Sequence, residues 1–508
     1  MSSRGSPLVA FGIALVAGVA QAFSIAAPWN GQPQWWLQLL SLGVFAGLLQ
    51  HETRPGRAFL IGWAFATAWL TATFWWLYIS MHTYGGLPAA LTVLAVVGLA
   101  AFLSLYYAAA AAMSARIGAT PTHWSVPAFA ALWALAELLR VTVFTGFPWG
   151  EGGYAHITGP LAGYAPWIGV HGMTFIAALV AASAAAALRQ RGRAAVGAAL
   201  LLLLGLALPM TGEFTRSTGS TSVTLLQGNI PQGEKFEHGT GIPLALNWYA
   251  SQLREATTTL VVAPETAIPV LPQQLPDDYL ETATERYSNG TQAVLLGIPL
   301  GSNSEGYTNS VIGVKPGSAA YRYDKHHLVP FGEFIPPLFR WFTDMMKIPL
   351  GDFNRGTVGQ PSFDWAGQRF APNICYEDLF GEELGRRFGD VGNAPTVFVN
   401  VSNIGWFGDS IAVDQHLQIS RLRALEFERP MLRATNTGAT VIIDHQGRVT
   451  RALKRFTRGA ISGEVDGRSG VTPYAWWVAR LGLLPLWLLF GGGATFALLR
   501  RRVGAPRP

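Results

Sequence analysis

Long apolar runs set what this chain can become. They lie at 7–27, 34–50, 58–80, 86–114, 124–143, 162–187, 194–211 and 475–499. Most reach the ~20 residues that carry a helix across a bilayer. In hydrocarbon only a helix or a closed barrel satisfies every backbone polar group. About eight transmembrane helices are therefore expected, the second short and the fourth long. The first run has one Arg before it and "VAQAFS" near its end. It also fits a cleaved signal peptide, which would leave the remaining topology unchanged.

Charge gives the runs a direction. Arg4, Arg54, Arg57, Arg116, Arg189, Arg191, Arg193 and Arg500 to Arg502 fall at alternate ends of the runs, and loops 28–33, 81–85 and 144–161 carry no Lys or Arg. That alternation is the positive-inside pattern. It places both termini in the cytoplasm and segment 213–470 on the opposite side. Three regions result: helices 1–7 in 1–212, an outer domain in 213–470, and an eighth helix with a cytoplasmic tail in 471–508. The formal charge of +6 is no sign of nucleic acid. Segment 213–470 has 23 Lys/Arg against 27 Asp/Glu, a net of −4, and the remainder 13 against 3, a net of +10. The basicity belongs to the membrane-flanking positions. Inside the fifth run, Glu137 and Arg140 share a helix face. They read as an internal ion pair rather than as part of a substrate path.

The outer segment alternates β-rich runs with helical patterns, which suggests a layered α/β fold. "TSVTLLQGNI", "TLVVAPE", "QAVLLGIPL", "NSVIGV", "APTVFVNVSN" and "ATVIIDHQGRV" are the strands, with "IPLALNWYASQLREA" and "DQHLQISRLRALEFERP" among the helices. No GxGxxG or GxxxxGK[ST] loop opens a helix. The adjacent His326 and His327 do not aim at one metal, and a single Cys rules out a disulfide framework and a Cys-rich zinc site. Neither a cofactor nor a metal is expected.

Three reactive side chains stand at strand ends: Glu265 just after an apolar run in "VVAPETAIP", Lys325 in the polar stretch "YRYDKHHLVPFGEFIP" with Glu333 eight residues on, and Cys375 after an apolar segment in "FAPNICYEDLF". Reactive groups in α/β sheets collect at the carboxyl ends of strands. A thiol needs a base to become a nucleophile. An ammonium beside it favours the thiolate and can face an oxyanion. Together they are an acyl-transfer set. Taken singly, each has a plainer reading: a buried core cysteine, a surface acid and a solvated lysine.

With their local sequences, these residues resemble the carbon–nitrogen hydrolase (nitrilase) superfamily over about 220–468. The resemblance implies an α-β-β-α sandwich with Glu265 as base, Lys325 as transition-state lysine, Cys375 as nucleophile and Glu333 as a supporting glutamate. "LLQGNIPQ", "KHHLVPFGEF", "NICYEDLF", "NVSNIGWFGDS" and "RALEFERPMLRATNTG", set on a membrane bundle, are further similar to the bacterial apolipoprotein N-acyltransferases. That family transfers a fatty acyl group from a phospholipid donor to a diacylated apolipoprotein acceptor, the last step of lipoprotein maturation, through a thioester. The resemblance implies supporting roles for Tyr376 and Glu377, the Tyr376 backbone N–H being a candidate oxyanion donor. It also implies substrate contacts at Asn309 and Trp406. Phe236 stands where the family often has tryptophan, and either ring can pack against an acyl chain. "IPPLFRWFTDMMKIPLG" (335–351), with Trp341, Phe342, Met345 and Met346, reads as a lid on the outer leaflet or as a buried surface helix. The implied partners are phospholipid, lipoprotein and the bilayer of the bacterial inner membrane, with the protein acting as a monomer. Two other readings stay open: a membrane-tethered amidase using the same triad on a small amide, and a transporter or scaffold with an inactive outer module.

Overall fold

The computed structural model describes residues 7–50, 52–118, 124–190, 193–335, 353–390 and 392–504. The chain forms two compact units. One contains residues 1–78, 88–212 and 481–508, and the other 79–87 and 213–480.

The first unit is helical. Pro7–Ile25, Ala89–Ile117, Ser125–Thr145, Ala162–Leu188 and Arg193–Thr211 are long and apolar enough to cross a membrane. Trp35–Gln50 is apolar but shorter. Pro55–Phe74 is a helix of 20 residues that lies outside this set of five. The expected count of eight is thus not confirmed. The clearest departure is the last run. It breaks into Pro473–Leu481 and Leu484–Gly504, and the two helices are bent by 88°. Gly482 lies at the break with φ +56°, a conformation glycine takes without strain, and Pro485 follows it. Pro473–Leu481 packs Tyr474, Ala475, Val478 and Ala479 into the α/β core. The second unit runs to residue 480.

An aromatic cluster fills the helical unit. Trp133 lies 4.9 Å from Tyr107, 5.6 Å from Phe45 and 5.8 Å from Trp69 between ring centres. Arg140 is buried against it, with its guanidinium 5.6 Å from the Trp69 ring centre. The Glu137–Arg140 pair is present at 3.6 Å. The shorter contacts of Arg140 go elsewhere: 2.8 Å to the Tyr107 hydroxyl and 2.7 Å to each of the Phe147 and Trp149 carbonyls.

The second unit holds two six-stranded sheets. The first runs in the order β12 (Gly459–Gly470), β1 (Thr215–Gln227), β2 (Leu260–Val262), β3 (Ala293–Ser302), β4 (Gly306–Val314), β5 (Tyr321–Asp324). The other runs β11 (Val449–Ala452), β10 (Val441–Ile443), β9 (Met431–Thr435), β8 (Val397–Ser402), β7 (Gln368–Ile374), β6 (Phe363–Trp365). At the centre of each sheet the pairing is parallel: β1 with β2 and β2 with β3, then β7 with β8 and β8 with β9.

Strand alternation builds the layers. Leu260, Val262 and Leu295 meet Val397, Val399 and Val401 in the core between the sheets. The residues between them point the other way, as a period of two requires. Val261, Val294 and Leu296 meet helices Gly241–Glu255 and Tyr279–Asn289 through Ala245, Tyr249, Leu253 and Tyr287. Phe398 and Met431 meet Ala424 and Phe427 of helix Ile411–Phe427. The result is the expected α-β-β-α sandwich. Near-continuous apolar strands such as "LVV" and "VFVNVS" follow from having both faces covered.

Candidate active site

The parallel strands at the centre of both sheets deliver their carboxyl ends to one region. Glu265 follows β2, and Pro264 and Glu265 lie against β3. A Cβ on Gly297 would meet the Pro264 carbonyl at 2.3 Å, so only glycine lets the two backbones approach this closely. Thr266 then takes φ +46°, unusual for a β-branched residue. One Glu265 oxygen accepts from the Asn309 amide at 2.7 Å, and the other from the Asn403 backbone N–H at 2.7 Å. Only 8% of the residue is exposed.

Lys325 follows β5 and is 1% exposed. Its ammonium donates to Glu333 at 2.9 and 2.8 Å and lies 3.6 Å from Glu265 Oε1. Burial works against its charge, yet Glu333, Glu265 and Cys375 outweigh burial and raise its pKa above the ordinary lysine value. Lys325 is thereby held charged. Asn309 braces the two acids, donating 2.7 Å to Glu265 and 2.8 Å to Glu333.

Cys375 ends β7 and opens a single 3-10 turn, Cys375–Leu379. Its φ is +52°, a left-handed conformation that a non-glycine residue adopts only when its surroundings impose it. Glu377 is one of those constraints. Its buried carboxylate accepts from Ile374 N–H at 2.6 Å, His326 N–H at 2.6 Å, His327 N–H at 3.2 Å and the Tyr323 hydroxyl at 2.8 Å. It therefore ties the cysteine turn to the backbone that follows Lys325. Burial raises the Glu377 pKa, against the pull of those donors.

Burial and the neighbouring Glu265 push the Cys375 thiol up to about 12. Lys325 pulls the other way without prevailing. The thiol is neutral at pH 7, and a base must take its proton during attack. The ammonium counts for less because its charge is already directed at Glu333 and Glu265.

The structure thus groups Glu265, Lys325, Glu333, Asn309 and Cys375. Tyr376 is buried beside them, its ring 5.3 Å from Phe380. Trp406 is partly buried and meets Tyr84 edge-on at 5.7 Å. Phe236 is 37% exposed. Trp341, Phe342, Met345 and Met346 lie outside the described residues. His327 contacts Glu383 at 2.9 Å, and His326 meets the Gly356 carbonyl at 2.7 Å and lies 3.9 Å from the same Glu383 oxygen.

Over residues 14–183 the chain matches the apolipoprotein N-acyltransferase N-terminal domain, and over 222–474 the carbon-nitrogen hydrolase domain. An apolipoprotein N-acyltransferase of Verminephrobacter eiseniae is 57% identical to it over 95% of both chains. One of Ralstonia nicotianae is 46% identical over 93% of this chain and 90% of its own. The chain belongs to the apolipoprotein N-acyltransferase family. Among solved structures, a carbon-nitrogen hydrolase from Helicobacter pylori covers 52% of this chain and 93% of its own at 15% identity, with a TM-score of 0.37.

In this member of the N-acyltransferase family, several site residues escape a reading of the sequence. Lys235 sits in "PQGEKFEHG" and looks like a solvated turn charge. It is 1% exposed and donates to the Glu265 carbonyl at 3.1 Å. Burial lowers its pKa to about 7, against the pull of Glu265 and Cys375. Asn403, which holds Glu265, is the last residue of "NVSN" and follows β8, so strand-end logic could have found it. Lys235 carries no comparable signal.

Proposed function

We propose that the chain transfers a fatty acyl group from a membrane phospholipid to the α-amino group of a lipoprotein's N-terminal diacylglyceryl-cysteine, by way of a thioester on Cys375. The observation that carries this reading is a neutral, partly buried thiol set against an acid and a charged lysine at converging strand ends, in a chain that matches its relatives over nearly full length. Glu265 takes the thiol proton as Sγ attacks the ester carbonyl. Lys325 and the Tyr376 backbone N–H face the oxyanion. The C–O bond breaks and the glycerol oxygen leaves with the proton from Glu265. In the second half the neutral amine attacks the thioester, Glu265 receives its proton, and the amide leaves as Cys375 regains its hydrogen. Two half-reactions on one nucleophile predict ping-pong kinetics.

The arginine alternation supports cytoplasmic termini, and the outward-facing leucines of the helical unit, such as Leu188 at 90% exposed, support a bilayer setting. We place the protein in the bacterial inner membrane, as a monomer, with the α/β unit on the periplasmic side.

Intact mass after incubation with phospholipid micelles tests the thioester. The expected result is a gain of one fatty acyl mass, removed by hydroxylamine, discharged by a diacylated lipopeptide and absent from Cys375→Ala. A folded wild-type protein that gains no mass would overturn it. Hydrolysis of a small amide in the same preparation would then favour the amidase reading.

A further inference from the structure

At the backbone of Cys375 lies a second buried polar cluster that the reaction above does not use. It comprises Asp378 on the cysteine turn, Asn400 on β8, His416 and Ser420 on helix Ile411–Phe427, and Arg433 on β9. All five are fully buried. Arg433 donates to His416 Nδ1 at 2.6 Å and to Asp378 Oδ2 at 3.3 Å. An arginine only donates, so His416 Nδ1 must be the acceptor and Nε2 must carry the hydrogen. Burial and the Arg433 charge keep the ring neutral. The Nε2–H is shared between Asp378 Oδ1 at 2.9 Å and the Cys375 carbonyl at 3.3 Å. The Asn400 amide reaches the same carbonyl at 3.2 Å.

Two side-chain donors on the carbonyl of the nucleophile have a geometric consequence. The carbonyl of Cys375 and the N–H of Tyr376 belong to one planar trans peptide and point in opposite directions. Whatever fixes the oxygen fixes the N–H. Cys375 also holds a strained φ of +52°, so its peptide plane would turn if released. A buried ionic cluster is weak evidence for stability, since apolar residues of the same volume often serve as well. A role in orientation accounts for its presence better.

We infer that His416, locked by Asp378 and Arg433, and Asn400, whose amide also donates to Asn373 Oδ1 at 2.7 Å, are positioning residues that aim the Tyr376 N–H at the oxyanion by pinning the Cys375 carbonyl. This rests on the thioester reading of Cys375. The site has therefore two supports with separate tasks. Glu377 ties the turn to the lysine segment, and the His416 cluster sets the plane of the peptide that follows the nucleophile.

Two reactions of the same thiol separate orientation from damage. Acylation builds an oxyanion. Alkylation by iodoacetamide is a displacement at carbon and builds none. The full chain, in mixed micelles of phosphatidylethanolamine and phosphatidylglycerol, is followed by single-turnover intact mass for His416→Phe and His416→Gln. Loss of a complete oxyanion donor costs about 10²–10³ in rate, and a misaimed donor should cost about tenfold. The expected result is a thioester formed about ten times more slowly in His416→Phe, iodoacetamide alkylation within about twofold of wild type, and near-normal acylation in His416→Gln, which keeps an N–H donor. Acylation at the wild-type rate in His416→Phe, or a parallel fall of alkylation and acylation, would overturn the inference. Should His416→Phe not fold, Asn400→Leu removes the other donor at nearly the same shape and is judged by the same two rates. A wild-type protein that forms no thioester fails the proposed function instead, which keeps the two failures distinct.

Discussion

The helical unit and the α/β unit each bury a cation beside carboxylates, but the surroundings differ. In the helical unit Arg140 gives its shortest contacts to the Tyr107 hydroxyl and to the Phe147 and Trp149 carbonyls, with Glu137 farther away at 3.6 Å. These contacts fasten the loop after helix Ser125–Thr142 to the aromatic cluster, and no nucleophile is among them. In the α/β unit Lys325 is held by two acids, and both also act on the only cysteine. Buried charge alone therefore does not mark a site. The mark is charge whose partners include a reactive group.

The sharpest way to break this contrast is to remove the reactive group and the base. Cys375→Ala should abolish transfer while the protein stays folded. Glu265→Gln keeps one of the two acceptor oxygens and the side chain's shape but loses the base, lowering the rate of thioester formation roughly 10⁴-fold, the upper end for general-base catalysis. Single-turnover acylation measures both. A Glu265→Gln protein that acylates at the wild-type rate would place the base elsewhere.

Next in size is Glu333→Gln. It takes one of two acids from a buried ammonium, and uncompensated buried charge is costly. Lys325 would turn toward Glu265, the group that must accept the thiol proton. The expected loss is roughly 10³ in the acylation rate, with substrate affinity little changed because the loss falls on the transition state. Kinetics across phospholipid concentration check this. A rise in KM at unchanged kcat would make Glu333 a binding residue.

How much of this was legible beforehand follows from the range of the contacts. The sandwich was readable because strand alternation is local, as in "TLVVAPE" and "APTVFVNVSN". Glu265 and Cys375 were readable because each follows an apolar run, and Lys325 because it follows a short strand in a motif that also holds Glu333. The partners were not. Asn403 meets Glu265 across 138 residues, and His416 meets the Cys375 carbonyl across 41. No local pattern encodes such distances. The break in the last apolar run was hidden for another reason. Its hydropathy is continuous through "ARLGLLPLW", while Gly482 and Pro485 break the helix there. Punctuation outweighed hydropathy at that point.

The opposite arm of the contrast is Arg140→Met. If the cluster around Arg140 is structural, this change should lower stability by about 3 kcal/mol, the scale for leaving buried partners unpaired. Acylation per folded molecule should remain near wild type. Thermal unfolding in detergent, paired with single-turnover acylation, separates the two. A full-stability variant with slow acylation would move the helical charge cluster onto the functional side.

The smallest effect falls on Lys235, the cation that fits neither category by inspection. It is buried, its hydrogen bond goes to a backbone carbonyl, and its pKa is lowered by burial from 10.5 to about 7. The unfolded chain therefore binds a proton below pH 10.5 that the folded chain does not take up until about pH 7. Folding stability must fall as pH drops through that window and level off below it. Lys235→Met keeps the volume and removes the proton site. It should stabilise the protein by roughly 1–2 kcal/mol at pH 6, as apolar replacement of buried charge often does, and the gain should shrink towards pH 10. A gain independent of pH would mean that Lys235 is not desolvated, and would return it to the surface-charge reading its sequence suggests. A gain of the expected form with a matching loss of acylation would mean the site tolerates an unfavourable charge for its field on Glu265 and Cys375, which places Lys235 with Lys325 rather than with Arg140.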